Sequence, residues 1–332
     1  MKRIALHIIP CLIALLLTAC HSEPAELGLS VSRCADLPVP LTAAASFSIG
    51  GKAYIACGRS DKNDYTNRLY AYDPQADSWT DLGSTPLSPR VRARAAVADE
   101  RVYIGLGFCG RVLIDTAYLA DWWCWNPADG TWLQRADYPS TRTVGPVVSA
   151  DGQTVYAAYG GQRNYERWVF RYDISSDSWT RLYDGLDRMA SYPPRAHSVA
   201  GCTCGGRLFV GTGYFRDSET FWAEAETTGD STLVWHRRAA VPGKRHNAAA
   251  LSDGRYIYLA GGRCFGGTVT VGGMYDDVLR YDPDTDTWVR LCRLPDGGRE
   301  NLSLWLIDGI LYAGGGSDIN NRPCRQLYRI TL

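Results

Sequence analysis

The sequence predicts an all-β fold of repeated short-strand units, and three observations carry that reading. The 332 residues include 34 Gly, 20 Tyr and 11 Trp against only 3 Met and 7 Phe, a composition of tight turns and pleated surfaces. A strand–turn–strand segment closed by Trp recurs along the chain, and each copy follows an apolar strand ending in small residues. The last copy lacks its outer strand, while a matching segment stands near the amino terminus. Apolar residues at 45% and charged residues at 21% suit a globular body and exclude a bundle of membrane spans. Lys plus Arg and Asp plus Glu balance at 35 each, so the broad basic field of a nonspecific nucleic-acid binder is missing. No nucleic-acid partner is expected.

Lys2 and Arg3 precede a mostly apolar run over residues 4–17, interrupted by His7 and Pro10. Fourteen residues are too few to span a bilayer as a helix, but they fit the apolar region of a secretory signal. The run ends in Leu17-Thr18-Ala19-Cys20, which resembles the bacterial lipobox. That resemblance implies cleavage before Cys20 and a lipid on its thiol. Residues 1–19 then form a lipoprotein signal peptide, residues 20–28 a lipid-anchored polar tether, and residues 29–332 the folded body. Loss of the signal leaves 33 basic against 35 acidic residues. The expected location is exported and anchored to a bacterial membrane. His21, in place of the Asp that marks inner-membrane retention in enteric bacteria, favours the outer one.

The recurring segment is first seen as Leu69-Tyr-Ala-Tyr-Asp-Pro-Gln-Ala-Asp-Ser-Trp79, and it returns over residues 122–132, 169–179 and 279–288. Each copy reads as a strand, a turn opened by Asp or Asn, and a second strand begun by Trp. A divergent copy runs from Phe221 to Trp235. The preceding strands end in Gly58, Gly107, Gly160-Gly161, Gly213, Gly261-Gly262 and Gly314-Gly315. Trp79, Trp132, Trp179, Trp235 and Trp288 stand 53, 47, 56 and 53 residues apart, a period of about 50.

With the glycine pair, the Tyr and the later Trp all in order, these units resemble kelch repeats. The resemblance implies a kelch-type β-propeller, whose single sheets cannot bury both faces and must stack in a closed ring. The last glycine strand is followed by one more strand at residues 326–330, and no Trp strand comes after it. Pro86, Pro139, Pro242 and Pro295 each follow a Trp by seven residues, and Pro38 follows Val31 by the same interval. Residues 29–36 therefore read as the missing outer strand with Val31 in the Trp position, and six blades result.

Nine cysteines besides Cys20 remain after the signal. A Cys34–Cys324 disulfide would staple the proposed closure, although an unpaired buried Cys34 fits equally well, because Leu82 and Leu291 hold its slot elsewhere. Cys202-Thr-Cys204 lacks a second ligand cluster nearby and reads as strand packing, so no metal site is expected. Gly105-Leu-Gly-Phe-Cys-Gly110 spells a dinucleotide fingerprint but leads into a strand, where that motif does not work. No cofactor is expected.

One constellation remains. The loops entering the inner strands carry Arg90, Arg92 and Arg94, then Arg142, Arg195, Arg245 and Arg299 in successive blades, with His197, His246 and Glu300 beside them. These side chains are expected to converge on the channel mouth, with Tyr65, Tyr118, Tyr159, Phe215 and Phe265 available to stack on sugar rings. An arginine here can equally bond neighbouring carbonyls as scaffold. The leading function is a non-catalytic module that binds a glycan or protein on its loop face. The alternative is a sugar epimerase or mutarotase, since the kelch resemblance extends in architecture to the exported sialic-acid epimerases. No active-site motif matches residue by residue, and oligomeric state is not legible.

Overall fold

Short runs of alternating apolar and polar residues, separated by Gly- and Asp-containing turns, give antiparallel meanders throughout the computed structural model. It describes residues 23–61, 64–110, 115–140, 143, 145–161, 167–183, 192–265 and 272–332. The signal segment, Cys20 and Arg142 lie outside the described residues. Six sheets form the blades, five of four strands and one of five. Blade one is Ala45–Ile49, Lys52–Ala56, Arg68–Asp73 and Ser78–Ser84. Blade two is Arg94–Ala98, Arg101–Gly105, Trp122–Trp125 and Trp132–Arg135. Blade three is Val147–Asp151, Thr154–Ala158, Val169–Asp173 and Ser178–Leu182. Blade four is Ala200–Cys204, Arg207–Gly211, Trp222–Thr227 and Leu233–Arg237. Blade five is Ala249–Ser252, Ile257–Ala260, Asp277–Asp282 and Thr287–Arg293. Blade six takes Ser303–Ile307, Ile310–Gly314 and Leu327–Thr331 from the carboxyl end, and Val31–Cys34 from the amino end.

The apolar interior is divided into layers. Six buried clusters occur among the described residues, one at each interface between neighbouring blades. The recurring Tyr, Asp and Trp explain how the outer rims are held. In blade one the Tyr72 hydroxyl donates to Asp77 Oδ1 at 2.7 Å, and the same oxygen accepts from the Ala35 N–H at 2.8 Å. The Trp79 indole donates to the Ala35 carbonyl at 3.1 Å. Asp177 and Trp179 grip Ala136 in the same way, and Asp286 and Trp288 grip Ala239. Each clamp therefore holds both polar groups of one residue just past the preceding blade's outer strand.

Closure follows the sequence expectation. Val31–Cys34 pairs antiparallel with Leu327–Thr331, and Val31 faces Ile330 as Trp79 faces Tyr72. The disulfide does not form: Cys34 and Cys324 are free thiols. The strand begins at Leu327, not at Cys324, so Leu327 is the partner of Cys34. Cys324 precedes it, its carbonyl accepting from the Leu41 N–H at 3.0 Å.

The tether also differs from expectation. Ala25–Glu26 adds a fifth, parallel strand to the outer edge of blade five. The side chain responsible is Arg290, only 9% exposed, which ion-pairs with Glu23 and Glu26. An arginine buried in an outer strand needs carboxylates, and the incoming chain supplies them.

Deleting residues 29–37 should remove a strand and expose an apolar blade flank, giving aggregation or a large fall in Tm. Deleting residues 21–26 should cost less, about 1–3 kcal/mol, because Arg290 loses its hydrogen-bonded acids while every blade keeps four strands. Thermal melts should rank wild type above the 21–26 deletion and that above the 29–37 deletion. Equal melting of the two variants would overturn the shared sixth blade.

Candidate functional site

The arginines of the entry loops divide into two kinds. Arg90 is buried, and its guanidinium donates to the Leu106 carbonyl at 3.1 Å and to Asp121 at 2.5 and 2.9 Å. Arg245, fully buried, repeats this with the Gly261 carbonyl at 3.0 Å and Asp277 at 2.6 and 2.9 Å. Arg299 donates to the Gly315 carbonyl and to the Tyr328 hydroxyl, both at 3.3 Å. Arg245 and Arg299, expected at the mouth, are thus scaffold that ties each loop to the end of its own second strand. Arg195 is half-buried one register short of this position, which Ala196 fills just ahead of the bridge from His197 to Tyr214.

The main chain of these residues also joins the blades. The Gly58 N–H donates to the Arg90 carbonyl at 2.8 Å, Gly213 to that of Arg245 at 2.9 Å, and Gly262 to that of Arg299 at 2.8 Å. The end of the second strand demands glycine because its own blade's entry loop crowds it: a Cβ on Gly107 would lie 2.6 Å from the Val91 carbonyl oxygen, and its φ is +106°.

Two residues beyond the scaffold arginine the chain turns left-handed, at Arg92 (φ 57°), Asn247 (56°) and Asn301 (53°), with Ala43 and Ser198 equivalent. Their peptides pass hydrogen bonds around the axis: Arg92 N–H to Ala43 O at 2.7 Å, Ala43 to Asn301 at 3.1 Å, Asn301 to Asn247 at 2.9 Å, and Asn247 to Ser198 at 3.0 Å.

Inside this arc, Arg92 reaches across from blade two. Its guanidinium donates to Ser198 Oγ at 2.9 Å and Asn247 Oδ1 at 3.2 Å, closing the mouth with neutral acceptors. Asn247 Nδ2 donates to Glu300 Oε2 at 2.7 Å, and Arg263 to Glu300 Oε1 at 3.2 Å. An aromatic group stands beside them. Tyr214 lies 5.6 Å from His197, 5.3 Å from His246 and 5.5 Å from Phe265, while His246 lies 4.7 Å from Phe265. Phe265 is 43% exposed, with the Arg263 guanidinium 4.9 Å from its ring centre.

Of the expected stacking aromatics, Tyr159 is not at the surface. It is buried between blades three and four, its ring 6.1 Å from Phe221. Tyr65 joins loops of blades one and two through the Gly110 carbonyl at 3.4 Å, and Phe215 lies half-buried in a small hairpin. Arg263, Asn247, Ser198 and Tyr214 were not singled out from sequence. A signal for them exists, because they occupy either the left-handed position or the first residue after the obligate glycine.

The mouth disfavours additional positive charge. Burial, then the charge of Arg92, lowers His197 to about 4, and burial followed by His197, Arg92 and Arg263 lowers His246 to about 4. Hydroxyls fix both rings through Nδ1, Ser198 for His197 and Ser218 for His246, each at 2.9 Å. Two cations, two neutral imidazoles and one carboxylate form a cluster suited to holding an anion beside a flat apolar surface. Among the described residues, no group of three or more His, Cys, Asp or Glu is placed to hold a metal ion.

Residues 40–86, 142–182 and 244–291 match the Kelch motif family. Kelch-like protein 35 of Mus musculus is 24% identical over 334 aligned residues, covering 95% of this chain and 53% of that protein. N-acetylneuraminate epimerase of Pasteurella multocida is 29% identical over 134 residues, 40% of this chain and 34% of that enzyme. The chain spans about half the length of the curated relatives it matches most extensively. A solved structure of YjhT superposes with a TM-score of 0.73 at 18% identity, covering 90% of this chain and 97% of that one, a likeness of fold. The chain is a six-bladed β-propeller, and the three stretches that match Kelch motifs fall within its blades.

Proposed function

We propose that the chain is an exported, lipid-anchored binding propeller that takes a carboxylate-bearing glycan at the mouth formed by Arg92, Arg263 and the aromatic group around His246. The observation that carries this reading is the charge imbalance. Among the described residues, Arg92 bonds only neutral oxygens, and Glu300 is the one carboxylate bonded within the cluster, where Arg263 and Asn247 share it. A ligand carboxylate supplies the missing negative charge, and Phe265 offers a ring on which a sugar face can stack. A sugar epimerase or mutarotase acting on sialic acid or a related anionic sugar is the second reading, supported by the relative that bears an epimerase name. The anchor rests on the lipobox-like Leu17-Thr18-Ala19-Cys20, and among the described residues no helix is long and apolar enough to cross a membrane.

Calorimetric titration with sialate, galacturonate and galactose tests the ligand class. The acids should bind wild type in preference to galactose, and Arg263→Ala should weaken them about tenfold, the loss expected for one charge-assisted bond. A preference for galactose, or equal affinity in the variant, would sink the reading. Anomer exchange of α-sialic acid, followed by proton NMR, separates enzyme from binder: acceleration by catalytic amounts of protein establishes the second reading.

Cys20→Ala should leave a folded propeller that no longer sediments with membranes, because a polar tether inserts nothing into a bilayer. Persistence of the variant in the membrane fraction counts against the anchor.

The two histidines set a pH dependence. Their folded values near 4 lie below the ordinary 6.5, so the unfolded chain takes up these protons first as the solution is acidified. The associated stability is complete above about pH 6.5 and is lost as pH falls from there through about 4. Melting curves should show Tm falling across that window with a shallower slope in His246→Asn, and equal slopes would contradict the assignment.

A further inference from the structure

The inner strands of the six blades surround a central channel of about 480 Å³ that continues from the mouth towards the turns joining first and second strands. As sheet edges, these strands present unpaired N–H and C=O groups to its interior. Hydroxyls of Ser46, Ser149, Ser198 and Thr203 add further polar groups along the wall. Arg94, the first residue of the inner strand of blade two, is the single basic side chain of that wall. Its Nε donates to the Pro146 carbonyl at 2.8 Å and one terminal nitrogen, Nη2, to the Gly145 carbonyl at 3.3 Å. Among the described residues, Nη1 has no hydrogen-bond partner and no carboxylate pairs with the group. The one acidic side chain of the wall, Asp151, is five residues beyond Pro146 along the neighbouring inner strand. At the rise of an extended strand that is about 16 Å away, beyond useful pairing.

We propose that the channel binds a small inorganic monoanion, of the halide class, against Nη1 of Arg94. A half-buried cation without a counter-charge is costly, and a partly dehydrated halide is small enough to sit against Nη1 on the polar wall of the channel. Burial and the neighbouring Arg92 charge hold Arg94 down at about 10, and an anion relieves both effects. The channel reaches the mouth at Ser198 and Asn247, the two partners of Arg92, but its lining includes none of the aromatic group, so the halide site adjoins the glycan reading without using the same stacking surface.

The test is thermal melting of the full chain while bromide replaces gluconate at constant ionic strength. Wild type should show a saturating Tm rise of about 2–4 °C, as expected for a ligand bound only by the folded state. Arg94→Gln should show no saturating rise. A crystal grown in bromide supplies a readout that needs no variant: an anomalous peak within about 3.5 Å of Nη1. No saturation in wild type, an equal rise in both proteins, or a bromide crystal without that peak would overturn the site. Loss of sialate and galacturonate binding with the bromide response intact would sink the glycan reading alone.

Discussion

The structure depends on an arc of four main-chain hydrogen bonds about its axis, which joins five of the six blades among the described residues. Five left-handed residues from five blades donate and accept in sequence, from Arg92 through Ala43, Asn301 and Asn247 to Ser198. Each link fixes the angle and spacing between neighbouring blades, so a change in one blade's entry loop is felt around the ring. Left-handed backbone at a non-glycine residue is a strain often taken as a mark of function. Here Ala43 and Ser198 adopt it as Arg92 does, so the strain belongs to the architecture. What varies is the side chain, and the fold delivers it to the mouth whatever it is.

Outside this arc the cohesion is divided. Each interface has its own apolar cluster, and none of the six serves as a common core. Such a ring is only as stable as its seam, where blade six borrows a strand from the amino end. The Asp77 and Trp79 clamp on Ala35 lies just past that borrowed strand, so the closing segment is gripped by blade one as well as paired within blade six. The added strand at Ala25–Glu26 continues the same logic onto blade five, and the amino-terminal chain thus touches three blades.

Much of this was legible in the sequence. Trp and Pro spacing located the blades, and the interval from Val31 to Pro38 revealed the borrowed strand, because turn chemistry and cross-strand register repeat with the unit. The clamp carboxylates Asp77, Asp177 and Asp286 passed as ordinary turn residues, since only the neighbouring blade shows what they hold. The Ala25–Glu26 strand was hidden for a related reason: two residues have no periodicity, and their pairing follows from Arg290. The arginines divide, Arg245 and Arg299 turning to scaffold and Arg92 to the mouth, because position decides their role at a resolution of one residue. Arg90 faces its own sheet and a carboxylate, whereas Arg92, two residues on, faces the axis.

That difference also explains why the charge at the mouth is only partly compensated, by Glu300, in a chain whose acids and bases are equal in number. The scaffold arginines Arg90 and Arg245 need Asp121 and Asp277, because a buried guanidinium without a carboxylate would destabilise the loop it is meant to hold. Arg92 and Arg94 lean instead on Ser198, Asn247 and the carbonyls of Gly145 and Pro146, which satisfy hydrogen bonds but leave the charge in place. Carbonyl and amide dipoles orient a guanidinium without neutralising it, so its field extends into the mouth and the channel. A carboxylate built in beside Arg92 would stabilise the empty protein and take the place an anionic ligand would fill. The same economy appears in His197 and His246, which stay neutral and keep hydrogen-bonding capacity at the mouth without adding to the repulsion. The ring thus separates two uses of one residue type, arginine paired to hold blades together and arginine left unpaired where a counter-charge can arrive from solution.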